Sequence, residues 1–251
     1  MSPGLQQVLD RAPAPVLETH DGAREKIRVL REDLAPGGLK MRFLPFLVQG
    51  ADEVVYGSPF CGGAALALSE IGKQTGQRMT LFYAKRAEHH PRQIAALQNG
   101  ARIFEISPGY MTNVQAKARA YAAQQGALFL PLGFDVPAAA VPLIAFLNRV
   151  RLLLADDPSQ VWCATGSGML ARYLGLAFPR SEVIGIAVGL KSRHEGQAFG
   201  RNVRLRPSAY DFEKQSKASA PFPSCGHYDR KAWELCSAEA KPGALFVNVM
   251  G

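Results

Sequence analysis

Two short stretches of this 251-residue chain combine residue types that could hold a cofactor. In "LAPGGLKMRFLPFL" a lone lysine, Lys40, follows a Pro-Gly-Gly turn and lies near the start of an apolar segment from Leu39, "LKMRFLPFLVQG", that we expect to be a helix. In "ATGSGMLA" an expected strand ends in Thr-Gly-Ser-Gly, and a helix begins at once. The backbone N–H groups of such a turn and the positive end of the helix favour a bound phosphate, and the two hydroxyls add donors. The four turn residues are Thr165, Gly166, Ser167 and Gly168.

Each stretch by itself allows two interpretations. Lys40 is either a solvated lysine at a helix start or a lysine that holds a cofactor. The turn is either a phosphate site or a plain connection between a strand and a helix, because Gly-Ser turns serve both purposes. It matches neither the GxxxxGK[ST] pattern of a nucleotide P-loop nor the GxGxxG pattern of a dinucleotide fold. The presence of both stretches in one chain favours the cofactor interpretation of Lys40.

The composition is that of an ordinary globular protein, with 47% hydrophobic and 20% charged residues. No apolar run approaches the roughly 20 residues that a membrane-spanning helix needs, and the first residues lack the order of a secretory signal. The four cysteines form no CxxC pair, so we expect a reducing, cytoplasmic location. No group of cysteines and histidines has the spacing of a zinc site, so we expect no metal.

The charge is strongly positive, with a formal net charge of +8 and a pI near 9.5. Part of this charge lies in the run "KSRHEGQAFGRNVRLR", from Lys191 to Arg206. A solvated surface is the first interpretation of such a run. A contact with nucleic acid is the second, because the run is rich in arginine.

Segments typical of strands alternate with helical segments of about 10 to 15 residues along the chain, which is the pattern of βαβ units. The sequence therefore predicts an α/β fold of two doubly wound lobes with parallel sheets. We expect residues 1–40 and 135–251 to form a larger, cofactor-binding lobe and residues 41–134 a smaller one. The polar stretch from Leu190 to Gly226 is expected to be a long loop or lid.

Four segments carry a resemblance that spans nearly the whole chain. They are "VLREDLAPGGLKMRFLPFLV", "GADEVVYGSPFCGGAALALSEIGKQTG", "ATGSGMLARYLGLAFP" and "HYDRKAWELCSAEAKPGALFVNVMG". In this order they resemble the fold-type-II, tryptophan synthase β-like enzymes that use pyridoxal 5'-phosphate. Within that family they look most similar to the branch of aminocyclopropane-carboxylate deaminase and D-cysteine desulfhydrase.

The resemblance implies a role for several residues. Lys40 would be the lysine that forms a Schiff base with the cofactor, with Arg42 as a cationic neighbour that favours its neutral amine. The turn at 165–168 would bind the cofactor phosphate. Asp229 would hold a proton on the pyridine nitrogen, and Tyr228 would act as an acid or base or cover the ring. The alternatives are an acidic residue at a helix N-terminus for Asp229 and a core aromatic for Tyr228.

The substrate loop departs from the family pattern. Relatives hold the substrate carboxylate with Ser-Asn-His, whereas this chain has "SPFCGGA". Ser58 and the backbone around Gly62 and Gly63 remain as candidates for substrate binding, although Ser58 could equally be a turn residue. Tyr110 is a further candidate in a loop that could close over the substrate. His227 could titrate, but a lone histidine is more often structural.

The resemblance implies a lyase that forms an external aldimine with an amino acid, or a substrate bearing one, and breaks a bond at Cα by deamination or β-elimination. The altered loop, short chain and positive charge leave a second interpretation open. It is decarboxylation of an amino-acid adduct on thymidine in hypermodified phage DNA, in the host cytoplasm. A non-catalytic pyridoxal-phosphate-binding protein and a plain nucleic-acid-binding module are further alternatives. Relatives look dimeric, so a homodimer is expected.

Overall fold

The computed structural model describes residues 13–189 and 199–250, which form two compact units. One unit is Lys40–Ala139, and the other contains the residues up to Leu39 and from Ala140 onward. The first is built on a four-stranded sheet and the second on a six-stranded sheet. We call them the four-stranded unit and the six-stranded unit.

The strands share a short length of three to seven residues. They are β1 (Leu17–Asp21), β2 (Lys26–Arg31), β3 (Glu53–Gly57), β4 (Arg78–Ala84), β5 (Arg102–Ile106), β6 (Leu128–Leu130), β7 (Gln160–Thr165), β8 (Glu182–Ala187), β9 (Val203–Pro207) and β10 (Leu245–Asn248). The order across the larger sheet is β1-β2-β10-β7-β8-β9, and across the smaller sheet β5-β4-β3-β6. All neighbouring strands are parallel except β1, which runs antiparallel to β2 at one edge.

Helices connect the parallel strands. They are α1 (Leu44–Leu47), α2 (Gly63–Thr75), α3 (Pro91–Gln98), α4 (Met111–Gln125), α5 (Pro137–Leu153), α6 (Met169–Ala177) and α7 (Asp229–Glu239), with 3-10 turns at Glu32–Leu34 and Gly38–Arg42. The central strands β7 and β10 are buried at every position, as expected of a parallel sheet covered on both faces. Trp162, Trp233 and Phe246 pack together in the core of the six-stranded unit.

The predicted α/β class with parallel sheets is confirmed, and two local predictions are corrected. In addition, the antiparallel edge strand β1 was not predicted. The stretch predicted as a continuous helix from Leu39 is a 3-10 turn followed by the four-residue α1. The polar stretch predicted as a loop contains β9, whose short polar alternation is typical of a sheet edge. Residues 190–198 of that stretch, including Lys191, lie outside the described residues. Within the described ranges, no helix is long and apolar enough to cross a membrane.

The Pro-Gly-Gly turn before Lys40 packs against the backbone that follows β10. Gly38 has a φ of +68°, and a Cβ at this position would overlap the carbonyl oxygen of Val249. The N–H of the next residue, Leu39, donates to that same oxygen at 3.1 Å. Only glycine fits here, because the position combines a left-handed backbone with no space for a side chain.

We expect Gly38→Ala to lower the free energy of unfolding by about 2–5 kcal/mol, the sum of left-handed strain and overpacking. Gly50→Ala is the matched control, because Gly50 has a φ of +80° but no heavy atom within 4 Å of its would-be Cβ. Gly50→Ala should lower the free energy of unfolding only by the left-handed strain, about 1–2 kcal/mol. Equal losses in urea unfolding would contradict the packing argument.

A buried carboxylate joins the strands of the four-stranded unit. Glu53 of β3 accepts hydrogen bonds from Thr80 of β4 at 2.6 Å and from Tyr121 of α4 at 3.0 Å. Burial alone raises the pKa of Glu53, but these two hydroxyls and nearby Arg78 outweigh it, so the pKa lies below its ordinary value. Ionised Glu53 is therefore more stable in the folded chain than in the unfolded one.

Thr80→Val should lower the free energy of unfolding by about 1–3 kcal/mol near pH 7, because Glu53 loses its shorter hydrogen bond. Because the folded pKa of Glu53 is below the unfolded one, ionised Glu53 contributes stability above the unfolded pKa, and this contribution is lost as pH falls through the folded pKa. The difference in the free energy of unfolding between wild type and variant, measured by urea unfolding across pH, should therefore shrink below about pH 4.5. Thr19→Val, at an exposed position of β1, should change little at any pH. A difference that does not vary with pH would contradict the role of Glu53.

Candidate cofactor site

The turn at 165–168 leads from the carboxyl end of β7 into α6. Gly168 adopts a left-handed φ of +87° and is the residue that precedes the helix. Its N–H donates to the hydroxyl oxygen of Thr165 at 3.1 Å, so the buried Thr165 side chain shapes the turn from within. The hydroxyl oxygen of Ser167 accepts a long hydrogen bond of 3.5 Å from the N–H of Met169.

The turn has two backbone donors that could bind a ligand. Among the described residues, the N–H groups of Gly166 and Ser167 form no hydrogen bond. They lie at the N-terminus of the nine-residue α6, where the helix dipole is positive. The backbone of Gly189 approaches the turn so closely that a Cβ there would lie 2.8 Å from the Gly166 oxygen. This geometry is suited to hold a phosphate group.

Tyr228 lies beside this turn. A Cβ at Gly166 would be 3.6 Å from the Cε1 atom of Tyr228, so the tyrosine ring lies next to the turn. The ring also packs edge-on against Phe212, with centroids 5.9 Å apart. The half-buried Tyr228 precedes α7 directly. The structure thus brings the predicted phosphate turn and Tyr228 together.

Asp229, the first residue of α7, is fully buried. Its Oδ2 atom accepts a hydrogen bond of 3.2 Å from the N–H of Met250, just beyond the carboxyl end of β10. On the neighbouring strand β7, burial raises the pKa of the Cys163 thiol, and the negative charge of Asp229 raises it further. A carboxylate in such surroundings favours a cation or a proton donor as its neighbour.

Lys40 lies in the 3-10 turn Gly38–Arg42 and is half-buried. It follows Leu39, whose N–H is held by Val249 as described above, so the main chain that leads into Lys40 is fixed. Phe43 and Arg42, which follow it, are both buried. Its predicted role as a Schiff-base lysine stays a prediction.

Ser58 follows the carboxyl end of β3 in a compact turn. It is 1% exposed, and its hydroxyl donates to the carbonyl of Pro59 at 3.0 Å. The N–H of Gly62 donates to the same carbonyl, and a Cβ at Gly62 would lie 3.0 Å from the Ser58 oxygen. Gly63 then begins α2. The Ser58 hydroxyl therefore has a partner within its own turn, and its predicted role in substrate binding stays a prediction.

Tyr110 and His227 are the remaining candidates. Tyr110 precedes α4 and is 72% exposed, with its carbonyl accepting from the N–H of Val114. His227 is buried next to Tyr228. Their predicted roles stay predictions. Within the described residues, no group of histidine, cysteine or acidic side chains could hold a metal ion.

Three residues that shape the site escaped sequence reasoning. Gly38 was visible only as part of a turn pattern, although its adjacency to Lys40 was a usable signal. Val249 and Met250 act through backbone atoms, so their side-chain types carry no signal.

Comparisons with known protein families and with curated proteins find no match. Solved structures do match the fold. A homologue of ACC deaminase superposes with a TM-score of 0.76 at 17% identity, covering 100% of this chain and 95% of that one. The O-acetylserine sulfhydrylase isoform 3 from Entamoeba histolytica gives 0.73 at 13% identity, over 97% of this chain and 87% of that one.

The apo form of diaminopropionate ammonia lyase from Escherichia coli gives a TM-score of 0.67 at 14% identity, covering 99% of this chain and 86% of that one. The chain therefore has the fold of the fold-type-II, tryptophan synthase β-like enzymes, as its sequence predicts.

Proposed function

We propose that this chain is a pyridoxal-phosphate-dependent lyase that acts on an amino acid, or on a substrate bearing one, and breaks a bond at Cα. The observation that carries the proposal is the placement of the Thr165–Gly168 turn and buried Asp229 at the carboxyl ends of the adjacent strands β7 and β10. In parallel sheets this is the edge at which ligands bind.

The residues present fit the cofactor. Pyridoxal phosphate needs a site for its phosphate, an anionic partner for its ring nitrogen and a lysine for its aldehyde. The amides of Gly166 and Ser167 suit the first need, and the buried carboxylate of Asp229 suits the second. Lys40 suits the third, because the residue before it is bound to Val249 at the same edge of the sheet.

When bound, the cofactor supplies an aromatic ring that accepts negative charge from a substrate Cα. The residues of the chain would bind, orient and move protons around it. Asp229 would keep a proton at the ring nitrogen, which makes the ring a stronger electron acceptor. Tyr228 would limit access of water beside the phosphate turn, and the amine of Lys40 would accept or return a proton at Cα.

Elimination is the first candidate reaction. Diaminopropionate ammonia lyase and threonine deaminase are among the solved structures that share the fold. In this proposal the substrate is a small amino acid, and the products include ammonia.

Decarboxylation of an amino-acid adduct on DNA is the second candidate. The substrate loop supports it, because this chain lacks the asparagine and histidine with which relatives hold a substrate carboxylate, and the Ser58 hydroxyl donates to the Pro59 carbonyl in its own turn. A carboxylate that has to leave is better not clamped. Release of carbon dioxide with retention of the amine would identify this reaction, whereas release of ammonia would identify elimination.

The role of Lys40 has a direct test. Wild type mixed with pyridoxal phosphate should gain a visible absorption band from the cofactor bound to a lysine, and Lys40→Ala should not. Lys117→Ala, an exposed lysine of α4, is the control and should keep the band. A band of full intensity in Lys40→Ala would contradict the assignment.

The phosphate turn has a separate test. Ser167→Asp places a negative charge at the turn and should weaken the binding of pyridoxal phosphate about tenfold or more by charge repulsion. Pyridoxal lacks the phosphate and serves as the internal control, so its affinity should change by no more than about twofold. Absorbance titration of both compounds measures the two affinities. An equal loss for both would mean that the turn does not bind the phosphate.

A further inference from the structure

The six-stranded unit carries a second feature suited to phosphate, at the opposite ends of its strands. An open groove of about 470 Å³ is lined by two short segments, Pro179–Glu182 and Arg201–Arg204. We call it the arginine groove. We propose that the arginine groove binds the phosphate backbone of a nucleic acid.

The main-chain framework of the groove is fixed by one side chain. Asn202 donates from its amide nitrogen to the carbonyls of Gly175, Phe178 and Ser181, at 3.1–3.2 Å. The backbone carbonyl of Asn202 accepts a hydrogen bond from the N–H of Val183 at 2.8 Å. These bonds join the turn that ends α6 to the turn that begins β9. The two segments that line the groove are therefore held at a fixed separation.

Each of the two turns carries an arginine. Arg180 lies in the turn closed by the N–H of Ser181 donating to Phe178, and Arg201 lies in the turn closed by Val203 donating to Gly200. Both side chains are exposed, and within the described residues neither forms a hydrogen bond or ion pair. The pKa of Asp157 is lowered mainly by its hydrogen bond from Arg151, with which it is paired, and to a smaller extent by the charge of Arg180. Two guanidinium groups thus remain available for phosphate.

The one carboxylate in the groove is ionised and paired with basic side chains. Glu182 accepts a hydrogen bond of 2.9 Å from Gln160 and lies 3.7 Å from Arg204 and 3.4 Å from Lys241. Hydrogen bonding to Gln160 is the main reason that the pKa of Glu182 is lowered. Glu182 therefore stays ionised and fixes two further cations at the rim, while the groove as a whole remains positive.

A buried hydroxyl adds a second observation. Ser181 lines the groove and is 1% exposed, and its hydroxyl has no hydrogen-bond partner in the part of the chain that the structure describes. Buried polar groups are nearly always partnered by protein, water or a ligand. A water that bridges this hydroxyl to a phosphate oxygen is a partner that the surrounding arginines would favour.

The groove is separate from the candidate cofactor site. Glu182 is paired with Gln160 at the amino end of β7, whereas the phosphate turn begins at Thr165 at the carboxyl end. The two ends of this six-residue strand are roughly 17 Å apart at the usual rise per residue. An open, shallow site on a chain of net charge +8 suits an extended polyanion better than a small enclosed ligand.

The test measures binding of a fluorescein-labelled 20-base-pair DNA duplex by fluorescence anisotropy at several salt concentrations. Arg180→Ala with Arg201→Ala should weaken binding about tenfold per arginine at 0.1 M salt, and the slope of log Kd against log salt should fall by about one per arginine. Lys73→Ala with Lys117→Ala, two exposed lysines of the four-stranded unit, removes the same charge and is the control. Arg201→Gln alone should give about half of the effect on the slope.

Three results would overturn the proposal. They are binding that does not depend on salt, an equal loss in the lysine control, and binding of tripolyphosphate in the groove without binding of the duplex. None of these results bears on the role of Lys40, so the groove and the proposed lyase activity are tested independently.

Discussion

Two successive peptide groups after β10 hold the candidate site in place. The Val249 carbonyl accepts the N–H of Leu39, and Gly38 has to be glycine because a side chain would overlap that oxygen. The next N–H, from Met250, donates to Asp229, and the Met250 carbonyl accepts from Cys225. Backbone atoms of a segment without reactive side chains therefore fix both the residue before Lys40 and the carboxylate of Asp229.

The parallel sheet explains why two features suited to phosphate, which differ in kind, lie at opposite ends of its strands. At the carboxyl edge, the start of α6 directs backbone N–H groups and a positive helix end into the turn at 165–168. At the amino ends of the strands, two turns that are joined by the hydrogen bonds of Asn202 carry exposed guanidinium groups. The first relies on backbone dipoles close to the ligand, whereas the second relies on exposed charge that salt screens. The two features are therefore expected to differ strongly in their response to salt.

Much of the fold could be predicted because its signals are local. Continuous apolar strands such as β7, glycines that end helices such as Gly76 and Gly126, and the strand-to-helix turn at 165–168 all identify themselves within a few residues. The edge strand β9 was missed because it is only five residues long and lies within an otherwise polar stretch. Its pairing depends on β8, which no local pattern reveals.

The site was less predictable than the fold, for physical reasons. The family resemblance indicated Lys40, Tyr228 and Asp229, but not what holds them, because the supporting contacts are made by backbone atoms of distant residues. The bonding of the Ser58 hydroxyl depends on the path of its own turn, which composition does not specify. Arg201 and Arg204 were noticed as part of a basic run, whereas Arg180 lies outside that run. Their arrangement depends on the three hydrogen bonds of Asn202, which span 21 to 27 residues.

The central claim is that Lys40 carries pyridoxal phosphate, and the most direct measurement is to find which lysine does. The protein would be mixed with one equivalent of pyridoxal phosphate, reduced with borohydride to make any lysine linkage permanent, digested and analysed by mass spectrometry. The account predicts the phosphopyridoxyl group on the peptide that contains Lys40, and on no other lysine to a comparable extent. A label spread over exposed lysines such as Lys73 and Lys117, with Lys40 unmodified, would contradict it.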